Sequence, residues 1–161
     1  MRKSTVFSRR LTILASLACT LLVSSCDKDD DDDNNTNQMY TLSGNASGNQ
    51  MVPSVSGTGT GTISGSYNAN TNTLNYTTNW TGLTGAPTGG GFYAGNSGQA
   101  GTLVGSNWTM GSNLTSTGTH SGQMTLTDAQ ETQFLNGGWY YSMRTAANTG
   151  GEIRGQITAT R

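Results

Sequence analysis

An all-β domain is what this 161-residue chain predicts, and three observations carry the prediction. It holds 23 glycines and very many Thr, Ser and Asn, while Ala, Leu, Glu and Lys are scarce beyond the first 23 residues; strand and turn formers therefore outnumber helix formers. Only 11% of residues are charged, unlike the charge-rich, apolar-poor composition of disordered chains. From Met39 onward, short alternating runs recur between Gly, Asn and Ser clusters. At 32% hydrophobic the core should be small and lean on aromatics, and all three Trp and six Tyr lie in this body. About seven or eight strands at this spacing predict a Greek-key sandwich or barrel over residues 39–161.

The elements follow in order. "MRKSTVFSRR" is basic, and "LTILASLACTLLV" adds a 13-residue apolar stretch, short of the roughly 20 residues that a spanning helix needs. Residues 1–25 therefore read as a secretory signal. Its ending, Val23-Ser24-Ser25-Cys26, resembles a bacterial lipoprotein signal, which implies cleavage before a lipidated Cys26 and anchoring in the membrane through that lipid. Cleavage at Cys19 would leave much of the apolar stretch on the chain. Residues 26–38 contain six aspartates and one lysine within "DKDDDDD", a self-repelling tether of at most about 40 Å. An acidic run beside a lipidated cysteine resembles the surface-export signal of Bacteroidota-type lipoproteins, which implies an outward-facing place on the bacterial outer membrane.

In the body, "MYTLSG" opens the strands. "GTGTGTISGSY" reads as a strand packed closely against something bulky, and a hairpin through Asn70 to Asn72 leads into "TLNYTTNW". In that last run Leu74, Tyr76, Thr78 and Trp80 point one way and Asn75, Thr77 and Asn79 the other. Further strands are expected at "GGGFYAG", "AGTLVG", "SNWTM", "HSGQMTLT", "GWYYSMR" and "EIRGQITAT". One short helix is expected near residues 128–136: Thr127 and Gln130 have capping-box spacing, and Gly137 stands where a helix C-terminus would end. The last two runs predict a hairpin across "TAANTGG". Arg144 would face Glu152, Met143 would face Ile153, Ser142 would face Arg154 and Tyr141 would cover Gly155. Arg144, Glu152 and Arg154 then form its polar face, with an exposed pair worth about 0–1 kcal/mol.

These pieces, in this order, resemble the CHRD domain, the module repeated in chordin. The resemblance rests on "LSG" at 42–44, "QMVPSVSGTGTGT" at 50–62, "NTNTLNYTTNWTGLTG" at 70–85, "LTDAQETQFLNGG" at 126–138 and "YYSMRTAANTGGEIRGQI" at 140–157. It implies an immunoglobulin-like β-barrel or sandwich, distantly similar to copper-zinc superoxide dismutases, with no established catalytic activity. The departures from the family pattern are specific. Gly91 and Tyr93 flank Phe92 where the family shows His-x-His, Arg144 replaces a further His, and Met51 replaces an acid. Guanidinium is not a usual metal ligand, so no metal or other cofactor is expected.

Little chemistry remains in the body. It has no cysteine, and His120, its lone histidine, is expected at a strand start on the surface. Asp128 and Glu131 suit the helix N-terminus better than a glycosidase carboxylate pair. Three acidic and three basic residues leave the body neutral without a basic patch, which argues against nucleic acid. The expectation is a surface-anchored, non-enzymatic domain for binding, adhesion or envelope interaction, its partner a glycan or an envelope or extracellular protein. Phe92, Tyr93 and Trp108 are the candidate contacts, with Phe92 and Tyr93 expected as an exposed aromatic patch. The alternative is a metal-dependent or hydrolytic enzyme on a superoxide-dismutase-like scaffold.

Overall fold

A computed structural model describes residues 38–161. The signal at 1–25, the lipidation position Cys26 and all of the 26–38 tether but Gln38 lie outside the described residues. The elements are β1 (Met39–Ser47), β2 (Thr60–Asn68), β3 (Thr73–Thr81), β4 (Pro87–Ala94), β5 (Thr102–Val104), β6 (Gly118–Thr125), α1 (Asp128–Leu135), β7 (Trp139–Thr145), β8 (Ile153–Gln156) and β9 (Thr158–Thr160). All nine strands join one antiparallel sheet in the order β5-β4-β7-β8-β1-β2-β3-β6, with β9 also on β1. The expected all-β, barrel-like class holds, with two local differences. "EIRGQITAT" divides at Ile157 into β8 and β9, and "SNWTM" is not a strand.

Two side-chain populations build the wall. Along β3 the burial alternates as the sequence predicts, with Leu74, Tyr76, Thr78 and Trp80 all buried. Opposite the aromatics stand glycines: Gly61 and Gly118 flank Trp80, Gly65 and Gly122 flank Tyr76, and Gly155 faces Tyr141. A Cβ on Gly118 would come 2.6 Å from the Trp80 ring and one on Gly155 would come 2.7 Å from that of Tyr141. Many of the 23 glycines are thus the room that a narrow, aromatic-filled interior demands.

The outward side chains of β1, β2, β3 and β6 are different. Apart from Met39, every one is Ser, Thr, Asn or Gln. Helix α1 is capped by Thr127, whose hydroxyl accepts from the Gln130 backbone while the Gln130 side chain accepts from the Thr127 backbone. Gly137, at φ 71°, follows the helix, and fully buried Phe134 pins it to Tyr67 and Trp139 edge-on.

Candidate functional site

The charged hairpin is reached first from the sequence, and the structure gives it a structural task. Its register is the expected one: Met143 pairs with Ile153, Ser142 with Arg154, Tyr141 with Gly155 and Tyr140 with Gln156. Ile153 is fully buried. The expected Arg144–Glu152 pair does not form. The Arg144 guanidinium lies against Gly89 on β4, close enough that a Cβ there would sit 2.7 Å from its nitrogens. Glu152, at 2% exposure, instead accepts from the Thr84 amide (2.7 Å), the Thr84 hydroxyl (2.6 Å), the Thr145 hydroxyl (2.6 Å) and the Asn148 amide (3.2 Å). Burial pushes its carboxyl up, and these bonds more than offset that, leaving it below the ordinary carboxylate value.

Arg154 is also buried, at 2%, where an exposed polar face was expected. Its fork donates to the carbonyls of Gln99 (2.6 Å) and Asn96 (2.7 Å), and its guanidinium carbon sits 3.6 Å above the Tyr140 ring. Burial pushes its pKa down and Tyr140 pushes it partly back. Two loops therefore roof this outer face. Residues 95–101 are held by Arg154, by Gln156 donating to the Gly95 carbonyl, and by the Tyr140 hydroxyl accepting from the Gly101 amide. The loop after β1 brings the Met51 sulfur within 3.6 Å of the Ser142 hydroxyl, which donates to the Ile153 carbonyl at 2.9 Å.

The aromatic patch expected around Phe92 is corrected as well. Phe92 points inward at 1% exposure, because its neighbours Gly91 and Tyr93 take the outward positions of β4. Tyr93 is half-buried and stacked on Tyr140, with ring centres 5.2 Å apart. Positions 91, 93 and 144 share the outer face of β4 and β7, so the fold does gather the places where the resemblance implied histidine. In this chain they offer no side chain at all, a stacked phenol and a guanidinium. Among the described residues, no three of His, Cys, Asp and Glu come together.

Phe92 and Trp108 instead meet at the seam of the barrel. Strands β5 and β6 end the sheet order, and the curled sheet brings Val104 and the 105–109 loop opposite residues 120–124. Between them lies a cavity of about 440 Å³. The Trp108 amide donates to the Gly90 carbonyl at 2.8 Å, which draws its ring inside to 8% exposure. There it stacks on Tyr76 (5.2 Å) and on His120 (5.3 Å) and meets Phe92 edge-on (5.2 Å). His120, expected on the surface, faces this cavity half-buried from the middle of β6. Ser106 and Asn107 supply its polar rim. Burial lowers the His120 pKa and pushes the Tyr76 hydroxyl up to about 12, leaving a weaker base and a less acidic hydroxyl. The Tyr141 hydroxyl, deeper in, is fully buried without a hydrogen-bond partner among the described residues.

A curled antiparallel sheet with one capping helix, glycine–aromatic pairs inside and a roofed terminal hairpin defines the class as a small all-β domain. The CHRD domain profile matches residues 42–157, most of the chain, and the protein belongs to the CHRD domain family, which is not a known enzyme family. No curated protein and no solved structure matches the chain.

Proposed function

We propose that this protein is a non-enzymatic binding module, held at the outer membrane by a lipid on Cys26 and facing outward on its acidic tether, with the seam cavity as a contact site. The cavity is the observation that carries the reading: about 440 Å³ of open space walled by Trp108, Tyr76 and His120 and rimmed by Ser106 and Asn107. Such a mix of ring faces with a hydroxyl and an amide suits a planar or ring-bearing group with polar edges, on a glycan or on an envelope protein. The carboxylate and guanidinium that a catalytic reading would recruit are taken up by Thr84, Thr145 and the 95–101 loop. The test applies full-length protein to arrayed glycans and outer-membrane extract, beside His120→Ala and Asn107→Ala. Capture that falls at least tenfold in both variants supports the seam. Capture unchanged in both, or stoichiometric copper or zinc in the purified protein, would favour the enzymatic alternative or another surface. Lipid anchoring fails if Cys26→Ala leaves the protein as firmly membrane-associated as before.

A further inference from the structure

The outer face of β1, β2 and β3 is not featureless. A depression of about 340 Å³ crosses all three strands. One rim is the cross-strand row Asn45–Thr62–Asn79 and the other includes the pair Thr60–Thr81, with the row Ala46–Gly61–Trp80 between them. Adjacent rows of outward side chains stand roughly 6.7 Å apart, and three strands span roughly 10 Å. We infer that this groove is a binding site for a neutral polysaccharide chain, distinct from the seam and made of none of its residues.

Three features select that ligand. No ionisable side chain lines the groove, so it offers an anion or cation no counter-charge. The Ala46 and Trp80 side chains are buried in the core, so the carbon surface that the groove exposes belongs to the strand backbone and the rim side chains, beside their hydroxyls and amides. A pyranose ring has the same division, with apolar C–H faces and hydroxylated edges. An Asn amide presents two donors and an acceptor, and a Thr hydroxyl presents both, so the row Asn45–Thr62–Asn79 can meet neighbouring sugar hydroxyls in either role.

The hydrogen-bonding capacity is also left free here. Toward β6 the outward groups are spent on one another: Asn75 with Gln123 (2.8 Å), Thr77 with Ser121 (2.8 Å) and Thr81 with Thr117 (3.2 Å). Among the described residues, the side chains of Asn45, Thr60, Thr62 and Asn79 have no such partners. A peptide strand fits less well, because the main-chain groups of β2 are already paired on both sides, with β1 and β3, and no open edge lies in the groove. Each contact is weak, and a polymer gathers several on one chain.

The test is affinity electrophoresis of the full-length protein through native gels containing mannan, starch or xyloglucan, with polygalacturonate as an anionic comparison. The expected result is retardation in at least one neutral polysaccharide, unchanged by His120→Ala and weakened at least tenfold in apparent Kd by Thr62→Lys and by Asn79→Ala. Both variants sit on the exposed face, and circular dichroism melts matching the parent show that they fold. Retardation in none of the neutral polysaccharides, retardation only in polygalacturonate, or retardation that survives both face variants would overturn the inference. Loss on His120→Ala with the face variants unaffected would overturn it too, while leaving the seam reading intact.

Discussion

On β7 and β8 outward side chains lie beneath two loops, and the barrel buries Arg154 there and Glu152 beside the adjoining hairpin turn. On β1, β2, β3 and β6 the outward side chains meet water, and none of them carries a charge. This reverses the usual arrangement, in which solvent faces are charged and covered faces are not. The difference teaches where charge is useful in so small a domain. A buried carboxylate or guanidinium is tolerable only when its hydrogen-bonding capacity is filled, so each one fixes the segments that fill it. Glu152 ties the β3–β4 connection at Thr84 to the hairpin turn at Thr145 and Asn148. Arg154 ties down the 95–101 loop. The bare half has no loop to hold, and its surface is left as shallow, uncharged hydrogen-bonding groups.

The contrast can be broken most severely at Glu152. Glu152→Ala strands four donors beneath the covered half and should cost about 3–5 kcal/mol in urea or thermal melts. The parent supplies a gentler version of the same change. Its folded-state carboxyl lies below the ordinary value, so Glu152 stabilises the fold fully above the unfolded-state pKa of about 4.3 and loses that contribution as pH falls through the lower folded-state pKa. A stability profile flat through that acid range would remove Glu152 from its assigned part. Arg154→Ala comes next, at about 2–3 kcal/mol, and it should open the 95–101 loop to limited proteolysis before the barrel melts.

Gly90→Ala sharpens the comparison from inside the covered half. Its Cβ would lie 2.5 Å from the Trp108 ring, so a cost of about 1–3 kcal/mol and a shifted Trp fluorescence spectrum are expected. The smallest effect belongs to the bare half. Ser64→Lys adds an exposed charge amid the hydroxyl rows and should change stability by no more than about 0.5 kcal/mol, read in the same melts. A loss comparable to that of Arg154→Ala would mean that the two halves are not built differently.

What the sequence determined by itself is whatever repeats locally. The alternation of β3, the capping box of α1, the glycine that ends the helix and the pairing of Met143 with Ile153 all follow from side-chain period and turn chemistry within a few residues. The tertiary structure decided which face of each strand was covered, and by what. Period two makes Tyr140, Ser142 and Arg144 one face but does not say that a loop from residues 95–101 lies over part of it. For the same reason Arg144 and Glu152, adjacent across the hairpin, looked like partners until Thr84, 68 residues before Glu152, proved to be the nearer donor. Phe92 likewise reads from the sequence as part of an exposed aromatic patch, whereas the fold turns it inward beside Trp108, for which Gly90 makes room. The seam and the groove, each assembled from strands distant in sequence, exist only once the sheet curls.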